Sequence, residues 1–161
     1  MLSWLDLVAL LVLSAALGVG IRQGVAFTLA VVPALLLYIL LTAWAGSLLP
    51  IAALPVLALA LSLGMAYVRH FIPINPLSPV LEGIIGGLGG LAWGLFLAAV
   101  IWVGFPSEFV ASTGALRYPS EQISSGVKDG IVSSAFARPL FDWAAGSPLF
   151  KTALIPHIRH P

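Results

Sequence analysis

Cysteine is absent from the 161 residues. That excludes disulfides, thiolate metal sites and a cysteine nucleophile. Charge is almost as scarce: seven Lys and Arg with six Asp and Glu make up 8% of the chain, against about a quarter in ordinary soluble domains. Only Asp6, Arg22, Arg69 and Glu82 precede Gly104, and the other nine charges lie between Glu108 and Arg159. No basic run follows a phosphate backbone, so no nucleic acid is expected as a partner. From Gln23 to Val68 there is no Asp, Glu, Lys, Arg or His, and no proton relay or charged ion path is built from that stretch. The serine-rich end holds no GxSxG elbow and the glycines form no GxxxxGK[ST] loop, which argues against a serine hydrolase and a nucleotide-phosphate site. His157 and His160 stand beside Pro156 and Pro161 with no third ligand near in sequence. The expectation is therefore no enzyme, no cofactor and no metal.

What the chain does hold is apolar: 60% hydrophobic residues and a mean hydropathy of +1.09. A helix needs about twenty apolar residues to cross a ~30 Å hydrocarbon core. The pattern predicts an all-α integral membrane protein, with four spans at about 2–21, 25–45, 51–68 and 80–104 in a domain over 1–104, then an extramembrane tail over 105–161. The first span carries Ser14-Ala15-Ala16, which looks like a cleavage site, but Asp6 stands where a signal peptide has basic residues. A retained helix is the better reading, with Trp4 as an interfacial anchor. Arg22-Gln23-Gly24 makes a short break to the second span, giving an antiparallel hairpin. Pro33 predicts a kink there, with the Thr28 hydroxyl available to the freed carbonyl. A turn at 46–50 and a stiff loop over 71–79 with three prolines follow, and Ser78 and Pro79 suit the cap and first turn of the last span.

That last span is the distinctive one. Gly86, Gly90 and Gly94 fall four apart, and Gly83 and Gly87 make a second such pair. Each glycine would cost a water-exposed helix about 0.8–1 kcal/mol relative to alanine. In lipid, the missing side chains let two backbones approach closely. The ladder is read as a helix-packing or homo-oligomer face, with a pore-lining or substrate-facing groove as the lesser alternative. The candidate interfacial charges are Asp6, Arg22, Arg69 and Glu82. Asp6 and Arg22 are about 24 Å apart along one helix at ~1.5 Å per residue, whereas Glu82 is placed to pair with Arg22 or Arg69.

In the tail, Ser120 is expected to cap a helix over 121–135 with Ile123, Val127, Ile131 and Ala135 on one face. A second short helix from Pro139 to Ala145 brings Leu140, Phe141 and Trp143 to the headgroup region or to a partner.

Trp4-Leu5-Asp6, then Arg22-x-Gly24, then Glu82 followed by Gly86, Gly90 and Gly94 together resemble the colicin V production (CvpA) family. The resemblance covers the first 104 residues and the general plan of the tail. Gly83 stands where that family usually has arginine, Trp93 where a basic residue is common, and the usual Arg-Glu after the first turn is missing. The resemblance implies a bacterial cytoplasmic (inner) membrane protein linked to production or export of a colicin-type toxin and to envelope integrity. The expected function is a scaffold or accessory protein. Its expected partners are the lipid bilayer, further copies of itself, and an envelope or export component met by the tail. Arg22 and Arg69 in short loops favour the cytoplasmic side, placing both termini outside. A small oligomeric channel or transporter, its path lined by Gly, Ser and Thr with Asp6 and Glu82 at the mouths, is the second reading.

Overall fold

Ser3 and Asp6 open the first helix by capping each other. The Ser3 hydroxyl accepts from the Asp6 N–H at 3.3 Å and the Asp6 carboxylate accepts from the Ser3 N–H at 2.9 Å, which satisfies two donors of the first turn. The computed structural model describes residues 2–45, 53–67, 71, 77–110 and 115–155. Helix α1 (Trp4–Gln23) ends at Gly24, whose φ of 67° suits glycine and whose N–H returns to the Gly20 carbonyl. Helix α2 (Val25–Ala45) begins at the very next residue and continues through Pro33. Helix α3 (Ala53–Ala66) is shorter, and α4 (Pro79–Val103) starts behind Ser78, whose hydroxyl accepts from the Leu81 N–H. Helices α1, α2 and α4 are long and apolar enough to cross a membrane. The chain is therefore membrane-embedded, and its bundle turns Leu11, Leu36, Leu40, Leu63 and Leu88 outward. The turn at 46–50, Arg69, residues 72–76 and the two terminal histidines lie outside the described residues.

Helix α4 is central, with α1 on one flank and α2 and α3 on the other. Its glycine ladder meets the backbone of α1. A Cβ added to Gly86 would overlap the Gly20 carbonyl oxygen and stand 2.7 Å from the Gly24 Cα. One on Gly90 would lie 2.6 Å from the Ala16 oxygen, and one on Gly94 3.1 Å from the Leu13 Cα. No side chain fits between two helices this close, and dispersion between the backbones holds them. Gly83 and Gly87 lie at the edge of this seam, where an added Cβ would reach side chains rather than backbone: Ile21 at 4.0 Å from Gly83, and Ile21 at 3.3 Å and Leu17 at 3.9 Å from Gly87. Gly89 faces the other flank, where a Cβ would stand 2.7 Å from the Thr28 Cα. There the Thr28 hydroxyl donates to the Ile85 carbonyl at 2.6 Å. The partner expected for it, the carbonyl freed by Pro33, is replaced by one on α4, because Gly89 lets the helices come within side-chain reach. On α3, Ser62 accepts from the Trp93 indole at 2.8 Å and donates to the Ala58 carbonyl. Trp93 and Tyr38 both pack on Phe96, at centroid distances of 5.1 and 4.9 Å.

The tail contains more than the two expected helices. Strands β1 (Glu108–Val110) and β2 (Ala115–Arg117) pair antiparallel, with Glu108 opposite Arg117. Three short helices follow: α5 (Ser125–Val132), α6 (Ala137–Gly146) and α7 (Pro148–Leu154). The helix expected over 121–135 is shorter because Ser120 does not cap it. Ser120 is buried, donates its hydroxyl to Glu108 at 2.9 Å and accepts from the Gln122 N–H. At the other end, the Ser133 hydroxyl folds back on the Asp129 carbonyl and Ala135 is exposed rather than packed. Helix α6 begins two residues before Pro139, which is tolerated in the first turn, where an N–H lacks a helical partner anyway. The tail lies on the end of the bundle where α1 begins and α2 and α4 end: α5 touches α1, α6 packs on α4, and α7 on α2 and α4.

The seam can be tested by contrasting a glycine inside it with one outside it. Gly90→Leu is expected to lower the midpoint of denaturant unfolding in detergent by the equivalent of about 3 kcal/mol or more, since overpacking here strikes backbone. Gly18, with nothing within 4 Å of an added Cβ, should accept alanine with a change within about 0.5 kcal/mol.

Candidate functional site

The densest polar construction among the described residues is the carboxylate of Asp6, which is 0% exposed. Oδ1 accepts from the Trp102 indole N–H at 2.9 Å and from the Ser134 hydroxyl. Oδ2 accepts from the N–H groups of Ser3 at 2.9 Å and Ala135 at 3.4 Å. The start of α1, the end of α4 and the turn before α6 thus share one anion. Ser134 extends the network, since its oxygen also accepts from the N–H groups of Phe136 and Ala137, at 3.2 and 3.0 Å. It thereby gives an acceptor to the first N–H of α6, whose N-cap residue is Phe136. A buried carboxylate is costly unless hydrogen bonds replace its water. Four donors do so here.

Aromatic side chains complete the junction. The Trp102 ring lies against Phe136 at 5.0 Å, and its carbonyl accepts from the Tyr118 hydroxyl. Tyr118 stacks on Phe141 with centroids 4.0 Å apart and planes 5° from parallel. Burial pushes the Tyr118 phenol up from its ordinary range, so it stays a neutral donor at physiological pH. The Trp4 indole donates to the Gly126 carbonyl at 3.2 Å and lies against Gly130, where an added Cβ would overlap the ring. The residue expected to anchor α1 at the interface therefore also holds α5.

Of the other candidate charges, the two among the described residues, Arg22 and Glu82, lie at the opposite end of α1. Glu82 accepts from the Leu77 N–H at 3.2 Å, and its other oxygen would stand 2.9 Å from a Cβ on Gly24. Arg22 is on the last turn of α1 at that end. Asp6 and Glu82 are thus held at the two ends of the α1–α4 seam, with Gly86, Gly90 and Gly94 between them. Gln23 ties this end to α3, donating to the Ala66 carbonyl at 2.7 Å. Among the described residues no group of three or more His, Cys, Asp or Glu converges as metal ligands. The arrangement positions helices and a tail.

Ser3, Trp102 and Ser134 are the site residues that sequence reading missed. The Ser-x-x-Asp spacing of Ser3 and Asp6 is a recognisable helix-start signal. Trp102 and Ser134 lie 96 and 128 residues from Asp6, and nothing local points to either. Tyr38 is different in kind: its hydroxyl is buried with no hydrogen-bond partner.

Asp6→Ala leaves the Trp102 and Ser134 donors buried and unpaired, at about 1–3 kcal/mol for each group. Limited proteolysis of the variant should cut the tail much faster than in the wild type, with α1–α4 still protected, and Asp6→Asn should fall between the two. Tyr38→Phe removes an unsatisfied hydroxyl and should be neutral or raise the unfolding midpoint by the equivalent of up to about 1 kcal/mol.

No family model matches this chain, and comparison with curated proteins and with solved structures finds no match.

Proposed function

We propose that this chain is a scaffold or accessory protein of the bacterial cytoplasmic membrane, of the colicin V production type, acting in toxin production or export and in envelope maintenance. In this reading α3, continued by the apolar residues that flank it in sequence, makes a fourth crossing, and both termini are outside. The observation that carries the proposal is the docking of the tail through Asp6, which gives a membrane bundle a folded platform at one end. The three sequence elements behind the family resemblance also meet physically. Gly24 lies against Glu82 and Gly86, the glycine ladder lies on α1, and Asp6 closes the far end of the same seam.

The channel reading has less support. It needs Asp6 as an accessible charge at a mouth, and that carboxylate is enclosed by four donors. It also needs glycines along a path, and Gly86, Gly90 and Gly94 are covered by α1. Self-association belongs to the proposal, through the outward leucine faces rather than the occupied ladder. The platform is what meets an envelope or export partner.

In a strain lacking the chain, re-expression should restore secretion of a colicin V-type toxin and resistance to envelope stress. Asp6→Ala, at equal membrane abundance, should not. Purified protein in liposomes should leave Na⁺, K⁺ and Cl⁻ flux at the level of empty vesicles; a protein-dependent flux would favour the channel and sink the scaffold reading.

A further inference from the structure

Among the described residues, the tail does not close tightly over the end of the bundle. Between them lies a groove of about 540 Å³, walled by Val8 of α1, Ile101 of α4 and Pro55 of α3 and roofed by Ile123 and Val127 of the tail. This is within the ~300–1,000 Å³ typical of sites that enclose a small ligand. None of the described residues lining it is charged. The Trp4 indole at its edge has its N–H committed to Gly126, which leaves the Gln122 amide as the one polar side chain among those lining residues.

Two observations identify an occupant. First, the groove continues the lipid-facing surface of the bundle: Val8 is half-exposed, and Leu11, one turn further along the same side of α1, is 71% exposed. Any molecule reaching the groove sideways along α1 arrives from hydrocarbon. Second, a water-soluble ligand would leave its polar groups unpaired between these walls, at a cost an aliphatic chain does not incur. We propose that a bilayer phospholipid inserts one acyl chain into this groove, beneath the tail, with its headgroup at the rim beside Gln122. The tail is then seated partly on lipid, and Ile123 and Val127 face hydrocarbon although they belong to the extramembrane part of the chain.

The test uses the full chain in vesicles of phosphatidylethanolamine and phosphatidylglycerol with a trace of phospholipid carrying a diazirine near an acyl terminus. After irradiation, lipid adducts are mapped by peptide. Adducts are expected on the outward face of α2, at Leu36 and Leu40, and also on the tail peptide spanning 122–127. Val8→Trp fills the groove from the wall and Val127→Trp from the roof. Each should abolish the tail adduct and keep the α2 adducts, which serve as the control for correct embedding; if one variant loses both, the other decides. A wild-type chain labelled on α2 alone would overturn the proposal. So would tail adducts that survive both fillings, since the tail would then merely dip into the bilayer, or chain-to-chain cross-links at 122–127 replacing the lipid adducts, which would give the groove to a second copy.

Discussion

The approach of α1 to α4 with nothing but backbone between them is the constraint on which the rest of the structure depends. Inside a bilayer, burying apolar side chains against one another gains little over leaving them in lipid, so association rests on close packing and on hydrogen bonds that lipid does not offer. This chain uses both in a fixed order along α4. Glycines at 86, 90 and 94 seat α1, Gly89 brings the Thr28 hydroxyl to the Ile85 carbonyl, and Trp93 reaches Ser62 on α3. One helix thereby sets the positions of three neighbours, and its two flanks do so by different chemistry.

Because that seam fixes where α1 begins relative to where α4 ends, Asp6 and Trp102 arrive together, and the tail has a defined surface to fold on. The carboxylate serves two levels of structure at once. Within α1 it is half of a helix cap; across the fold it is the acceptor shared by α4 and the tail. Charged pairs elsewhere in the tail are more exposed and weaker. Arg117 stands 3.9 Å from Glu108 with nearly half of its side chain in solvent, a geometry worth about 1 kcal/mol or less. The solvent-facing charges decorate the tail, whereas the buried one holds it.

Much of the bundle was legible in the sequence because its signals are local. Apolar length identifies α1, α2 and α4 as helices able to cross a membrane, and Ser78 with Pro79 marks where α4 starts. The glycine ladder announces a close helix contact without naming its partner, which proves to be α1 of the same chain. The tail was less legible because its elements are decided by distant contacts. Ser120 reads as a cap but is taken by Glu108, the β1–β2 pair has only three residues a side, and Ser134 is one serine among many until Asp6 selects it. Gly89 lies off the four-residue spacing and so carries no local signal, though it is packed as closely as the ladder.

The single-residue link at Gly24 bears on how the protein is made. Helices α1 and α2, separated by one residue, have to enter the bilayer as a pair, yet α1 packs chiefly on α4 rather than on α2. The surface complementary to Gly20 is synthesised only after α2 and α3 have left the ribosome. Until then the early hairpin sits in the membrane with its narrowest edge turned to lipid. Final assembly is a lateral event among segments already inserted, and completion of α4 is the step that ends the wait.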